Sequence, residues 1–206
     1  MLTVGNNTAG VEELLGSGLL SCPGCRGRLG GWGHAARRVV FSAGRIGVAV
    51  RPRRARCASC GVTHVLLPAW LLARRCDGTA VIGDMLARAA LGQGFRSIAV
   101  ASGVPEGTVR GRLRRFRSSA GRVRELFTRL AGVLAVDPVP LDPAGSPLAD
   151  AVVAVAAVAA AARGRWPGMV TVPGWELAAV LTLGSLLSPV VCLAGVHDGL
   201  VPSALA

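Results

Sequence analysis

The chain contains no lysine and no tyrosine, and only eight of its 206 residues are Phe or Trp. All 23 basic residues are therefore arginine. We do not interpret this bias as functional, because a GC-rich coding sequence has the same effect. About half of the residues are apolar, and many of these are Ala and Val. The sequence therefore predicts a sizeable core built from small side chains, in one medium domain or two to three small ones.

Common catalytic and targeting motifs are also missing. The sequence has no G-x-S-x-G, no P-loop and no Cys–His nucleophile arrangement, so we expect a protein that is not an enzyme. Residues 1–18 lack both the basic and the apolar region of a signal peptide. We therefore expect a cytoplasmic, nucleoid-associated location, where cysteines remain reduced.

Four of the six cysteines form two C-x2-C pairs, Cys22 with Cys25 and Cys57 with Cys60, separated by 31 residues. One such bend directs two thiolates at a single point, so two bends supply the tetrahedral S4 cage that Zn2+ prefers. The sequence therefore predicts a structural zinc site with these four ligands. Glycines lie in or after the bends, where we expect positive φ to be useful: Gly24, Gly27 and Gly61.

Other roles for these cysteines stay open at the level of sequence. A thioredoxin-like redox pair needs only one C-x2-C before a helix, but residues 26–31 are poor helix sequence. Disulfides require an oxidising compartment. His64 follows Cys60 closely enough to replace a ligand, although its Thr-His-Val surroundings are more typical of a strand. We expect Cys76 and Cys192, which have no partner motif, to be core thiols.

Positive charge is concentrated in one part of the chain. Residues 26–129 contain 21 arginines and only four carboxylates, whereas the segments on either side are net negative. Such confinement indicates a surface that binds a polyanion, most simply double-stranded DNA. The alternative is a solvated basic face that only increases solubility.

The apolar pattern predicts an α+β protein of several modules. A small β zinc ribbon is predicted over residues 19–67, with strands near 37–41, 45–50, 53–57 and 62–67. A mainly helical region follows over 68–130, in which Asp77 caps a helix. Four prolines indicate a linker over 131–147, and 148–206 is predicted to be a small apolar helical module.

A helix-turn-helix is predicted within the second region. Ile98 and Ala99 are placed in the core of a first helix, Gly103 in the turn, and Val109 and Leu113 on the buried face of a second helix that Pro105 begins. Gly107 and Gly111 depart from the usual pattern and weaken that second helix by roughly 1 kcal/mol each relative to alanine. The alternative is an ordinary helical hairpin with basic decoration.

The predicted DNA contacts are divided between the ribbon and the second helix. In the major groove, the second helix would bring four side chains near base edges: Glu106, Thr108, Arg110 and Arg114. Three further arginines are predicted to bind phosphates: Arg112, Arg115 and Arg117. Four arginines of the ribbon are predicted to hold the DNA backbone: Arg51, Arg53, Arg54 and Arg56.

The combination resembles the amino-terminal, DNA-binding part of bacterial insertion-sequence transposases. It is still more similar to actinobacterial proteins of unknown function that carry a zinc ribbon and a helix-turn-helix. The resemblance covers about residues 19–117 and depends on these motifs: Cys22 to Cys25, Arg53 to His64, Leu66 to Pro68, and Val104 to Phe116. It implies a zinc-stabilised DNA-binding protein. Such transposases carry an RNase H-like domain with three metal-binding carboxylates. The acidic residues in the 90 residues after Phe116 are scattered, and none lies in a strand-like context that suggests a two-metal site, so we expect a non-catalytic relative or a remnant.

Two apolar segments follow the linker. Residues 177–196 carry no charge and are long enough to span a bilayer, whereas 151–162 are too few. We expect two packed helices that close the core or form a homodimer, which would suit a helix-turn-helix protein with paired half-sites. The alternative function is a membrane-anchored zinc-ribbon adaptor whose basic face meets anionic lipid or a partner protein.

Overall fold

The computed structural model describes residues 1–187. It has an α+β fold with a small sheet region followed by helices, as the sequence predicts. The strands are β1 Leu2–Val4, β2 Leu29–His34, β3 Arg38–Phe41, β4 Gly47–Val50, β5 Arg53–Cys57 and β6 Thr63–Pro68. The helices are α1 Thr8–Gly16, α2 Thr79–Ala90, α3 Phe95–Ser102, α4 Glu106–Leu134, α5 Pro147–Arg165 and α6 Gly174–Leu181. Cys192 and the end of the apolar segment 177–196 lie outside the described residues.

A four-stranded sheet in the order β1-β6-β5-β2 forms the first part of the fold. β5 pairs antiparallel with both β6 and β2, and β1 pairs parallel with β6. The predicted ribbon starts at residue 19, yet its core also includes earlier residues. Leu2 and Val4 from β1, and Val11 and Leu15 from α1, are buried with it. The ribbon therefore has an apolar core in addition to its cysteines.

The strands β3 and β4 form a separate hairpin, as predicted around residues 42–44. A 3-10 turn, Ala43–Arg45, connects them. Val40 of β3 is fully buried and packs with Leu67 of β6 and with Leu71, just after that strand. The tip of this hairpin contacts α3, so it links the sheet to the helices.

The helices α2, α3 and α4 bury the apolar faces that the sequence predicts. Ile98 and Ala99 of α3 are buried, and so are Val104 in the turn and Val109 and Leu113 in α4. Gly103 ends α3 with a left-handed backbone (φ 66°), which a residue with a Cβ adopts only with strain. The helix α4 continues past the predicted boundary at residue 130, to Leu134.

The Pro-rich stretch 131–147 includes the end of α4 and the coil before α5. Ser146 caps α5 by accepting a hydrogen bond from the backbone N–H of Ala149, and Pro147 occupies the first turn. The alanine-rich α5 packs along α4, and α6 packs against α5 and α2. All of these helices bury residues in one continuous cluster, so residues 148–187 have no separate core.

The segment 177–187 does not continue as one long helix, because α6 ends at Leu181. Within residues 1–187, α5 is the one helix that is long and apolar enough to cross a membrane by length and composition. About 44% of its most apolar window is nevertheless buried inside the protein, as expected for a core helix.

Candidate metal site and nucleic-acid interface

The two C-x2-C bends bring their four sulfur atoms together. All four Sγ atoms lie within 4.8 Å of one another, with Cys22 to Cys60 at 3.8 Å and Cys25 to Cys57 at 3.4 Å. A tetrahedral Zn2+ with Zn–S bonds of about 2.3 Å has sulfur–sulfur edges of about 3.8 Å. The cluster therefore has the size and the ligand chemistry of a structural metal site. None of the five cysteines within residues 1–187 forms a disulfide.

Backbone N–H groups in the bends favour thiolates. The N–H groups of Gly24 and Cys25 lower the pKa of Cys22, and those of Cys60 and Ser59 lower the pKa of Cys57 to about 6. At Cys25 the N–H of Gly27 acts in the same direction. The neighbouring sulfur atoms of Cys57 and Cys60 outweigh it, and the pKa of Cys25 rises to about 12.

These opposing shifts arise because adjacent sulfurs cannot all carry negative charge without a cation between them. A bound divalent cation removes that repulsion and allows all four cysteines to be thiolates. The donor set therefore fits Zn2+, with Cys22, Cys25, Cys57 and Cys60 as its ligands.

The backbone of the bends differs in part from the predicted one. Gly61 has the expected positive φ (71°), but in the first bend it is Arg26 that adopts a left-handed backbone (φ 60°). The prediction of positive φ at Gly24 and Gly27 is wrong. Gly27 is required for space instead, because a Cβ there would overlap Ser59 Oγ and lie 2.9 Å from Cys57 Sγ.

His64 lies in β6, as its sequence context favours, and is not one of the four clustered ligands. Its Nε2 is 3.3 Å from Cys22 Sγ, and its Nδ1 is 3.2 Å from the Met1 nitrogen. Burial lowers the pKa of His64, so the imidazole is neutral at neutral pH. In the tautomer that carries its hydrogen on Nε2, the ring donates to Cys22 Sγ. His64 therefore supports a ligand without being one.

The helix α4 presents a basic row to solvent. Arg110, Arg114 and Arg117 follow one another at intervals of four and three residues, so they lie on one face of the helix. All three side chains are exposed, as is Arg115 beside them. Glu106 is exposed at the start of α4 and approaches Arg96 of α3 to 3.9 Å. Thr108 is half-buried, one turn before Arg112.

Arg112 does not belong to that row, and its prediction as a phosphate contact is wrong. It is only 3% exposed, and it forms a buried ion pair with Asp77, which is 1% exposed. Arg45, at the tip of the β3–β4 hairpin, binds the other carboxylate oxygen of Asp77 at 2.7 Å. Asp77 was predicted to cap α2, but the N-cap is Gly78 and no side chain caps that end.

The four predicted arginines of the ribbon have different surroundings. Arg53 binds both carboxylate oxygens of Glu12 and also donates to the Gly33 carbonyl, so its charge is already neutralised within the protein. Arg56 stacks on Trp32 with its guanidinium 4.8 Å from the ring centroid. Arg51 is exposed and Arg54 is half-buried. The ribbon therefore offers fewer free cations than its sequence suggests.

Two arginines that the sequence analysis did not select lie beside α4. Arg74 is exposed and Arg75 is half-buried, in the loop before α2, and both line a cleft with Arg114 and Arg115. Cys76 in the same loop is exposed, so the prediction of a core thiol is wrong. The two adjacent arginines shortly before Asp77 were the signal in the sequence for a basic site here. Nothing in the neighbouring sequence indicates which face of α4 these arginines approach.

No protein-family model, no curated protein and no solved structure matches this chain. Its resemblance to zinc-ribbon and helix-turn-helix proteins therefore depends on the motifs quoted above, and it stays a prediction.

Proposed function

We propose that the chain is a zinc-stabilised DNA-binding protein in which α3, the turn at Gly103 and α4 act as a helix-turn-helix. The observation that carries this proposal is the exposed row Arg110, Arg114 and Arg117 on a helix whose opposite face is buried. In the major groove, such a row brings guanidinium groups to base edges and phosphates.

The metal has a structural role in this proposal. Four cysteine ligands leave no open position on Zn2+ for a substrate or water. The ribbon would instead hold the β3–β4 hairpin in place, and through Arg45 and Asp77 this hairpin reaches α4. The expected partner is double-stranded DNA, with contacts mainly to phosphates because the recognition helix carries two glycines.

The test is fluorescence anisotropy with a labelled duplex of random sequence, repeated over a series of salt concentrations. About six neutralised phosphates give a slope of log K against log salt near −5. We expect Arg110→Ala/Arg114→Ala to weaken binding by at least tenfold. Arg122→Ala/Arg129→Ala removes the same charge further along α4 and is the matched control.

Two results would refute the proposal. One is no binding at low salt by soluble protein that carries zinc. The other is an equal loss of affinity in both double variants, which would indicate a diffuse basic surface rather than a recognition helix. Binding of the same protein to anionic vesicles but not to duplex would favour the membrane-associated adaptor.

A further inference from the structure

A cleft of about 390 Å3 lies between the loop that precedes α2 and the first turns of α4. Arg74 and Arg75 form its loop side, and Arg114 and Arg115 form part of its helix side. Thr108 adds a hydroxyl group to the lining. Arg112 also lines the cleft, but it is paired with Asp77. The cleft therefore combines four further guanidinium groups with a neutral donor.

The positive charge in this cleft is not balanced by the nearby carboxylate. Asp77 is buried, and its two oxygens are already engaged by Arg112 and Arg45. Among residues 1–187, the hydrogen bonds of Arg75 are long ones, to the carbonyls of Arg74 at 3.3 Å and Leu187 at 3.4 Å. Within that same part of the chain, its Nε atom is buried without a hydrogen-bond partner. A buried donor without a partner is costly, and an anion in this cleft would lie within reach of it.

The pKa of Arg75 also reflects the crowding of cations in this cleft. Burial, together with the neighbouring charges of Arg115 and Arg112, lowers the pKa of Arg75. An anion bound among these side chains would relieve the repulsion.

The backbone around the cleft has one left-handed residue and two glycines. Arg74 adopts a left-handed backbone (φ 58°), which costs energy in a residue with a Cβ. Gly107 and Gly111 are one turn apart on the face of α4 that lines the cleft. Their lack of side chains weakens the helix but leaves room for a ligand. Space for a ligand in the cleft thus explains why glycine occupies positions 107 and 111, which the sequence alone left unexplained.

We propose that this cleft binds a phosphate group between Arg74, Arg75, Arg114 and Arg115. Guanidinium forks match phosphate oxygens in geometry and charge. The source of the phosphate rests on the proposed function. If the protein binds DNA, the ligand is a backbone phosphate beside the groove that α4 enters. The same chemistry would accept a free polyphosphate.

The experiment uses the zinc-loaded full chain and two probes, a random duplex and inorganic tripolyphosphate. Arg74→Gln/Arg75→Gln removes the loop side of the cleft and leaves every arginine of α4 in place. Arg122→Gln/Arg129→Gln is the charge-matched control. We expect the loop variant to reduce the magnitude of the salt slope for duplex by about one, and to abolish calorimetric binding of tripolyphosphate. The control should change neither.

Gly107→Glu provides a second test that does not risk the fold. Within residues 1–187, and apart from the adjoining residues and the backbone of the helix itself, no atom lies within 4 Å of a Cβ at this position. The substitution places a helix-favouring residue with negative charge in the first turn of α4, so it should stabilise the helix. Because it also puts a carboxylate into the cleft, we expect higher thermal stability together with at least tenfold weaker phosphate binding.

The outcomes separate this proposal from the proposed function. Duplex binding with a slope unchanged in both cleft variants, and no tripolyphosphate binding, would overturn the cleft but leave DNA binding intact. Tripolyphosphate binding that requires Arg74 and Arg75, without duplex binding, would support the cleft as a site for free phosphates and refute DNA binding. Binding of neither probe by the wild type would overturn both.

Discussion

Arg112 of α4 donates a hydrogen bond from Nη2 to Oδ2 of Asp77, and both side chains are almost completely buried. The pair connects the loop before α2 to a helix that begins almost 30 residues later. Arg45 adds a third charge from the β3–β4 hairpin and stacks on Phe41 at 3.9 Å. One carboxylate therefore joins the hairpin, the loop and the basic helix.

The first prediction concerns this buried ion pair. Asp77→Ala leaves Arg112 buried without a counter-charge, so the free energy of unfolding should fall by about 3–5 kcal/mol in urea denaturation. The control is Asp84→Ala, which removes an exposed carboxylate paired with Arg88 and should cost less than about 0.5 kcal/mol. Equal effects of the two substitutions would contradict a structural role for the Asp77–Arg112 pair.

A second prediction concerns the space inside the first cysteine bend. Gly27→Ala forces a Cβ against Ser59 and the Cys57 sulfur. We expect it to lower stability by about 1–3 kcal/mol, as overpacking does, and to weaken zinc binding in a competition with a chromophoric chelator. In Gly24→Ala the nearest atom to the new Cβ is Cys22 Sγ at 3.9 Å. That variant should bind zinc like the wild type, and a loss equal to that of Gly27→Ala would disprove this account.

A third prediction assigns His64 a supporting role. His64→Phe removes the donor to Cys22 but none of the four sulfur ligands. The protein should still bind about one zinc ion per chain, with affinity lowered by about 10–100-fold. Metal analysis gives the stoichiometry, and chelator competition gives the affinity. Complete loss of zinc in this variant would indicate that His64 is a ligand.

The fourth prediction separates ligand cysteines from the remaining thiol. Cys25→Ser should abolish stoichiometric zinc binding, because a hydroxyl is a poor replacement for thiolate in an S4 site. Cys76→Ser alters an exposed cysteine outside the cluster and should leave the zinc content unchanged. Retention of one tightly held zinc ion by Cys25→Ser would exclude Cys25 as a ligand.

The sequence alone was sufficient to predict the structural features that depend on local residue spacing. The two cysteine bends, the β5–β6 hairpin and the buried faces of α3 and α4 follow from motifs and periodicity within a few residues. Arg112 was misjudged although it shares the helix face of Val109, Leu113 and Phe116, because its carboxylate partner lies 35 residues earlier and no local pattern reveals it. The parallel pairing of β1 with β6 was missed for the same reason. The cleft depends on how a loop packs against a helix, which no local pattern encodes.

The parallel pairing of β1 with β6 also sets an order of events during synthesis. Leu2 has no strand partner until Leu66 has been made, and the first cysteine bend likewise waits for the second. At about 5–20 residues per second, this interval is roughly 3–13 seconds on the ribosome. The strand β1 therefore stays unpaired for seconds, and the first two thiols wait for about half as long, because Cys60 follows Cys25 by only 35 residues. Pairing of β1 and assembly of the four-cysteine cluster then fall within the same short stretch of translation.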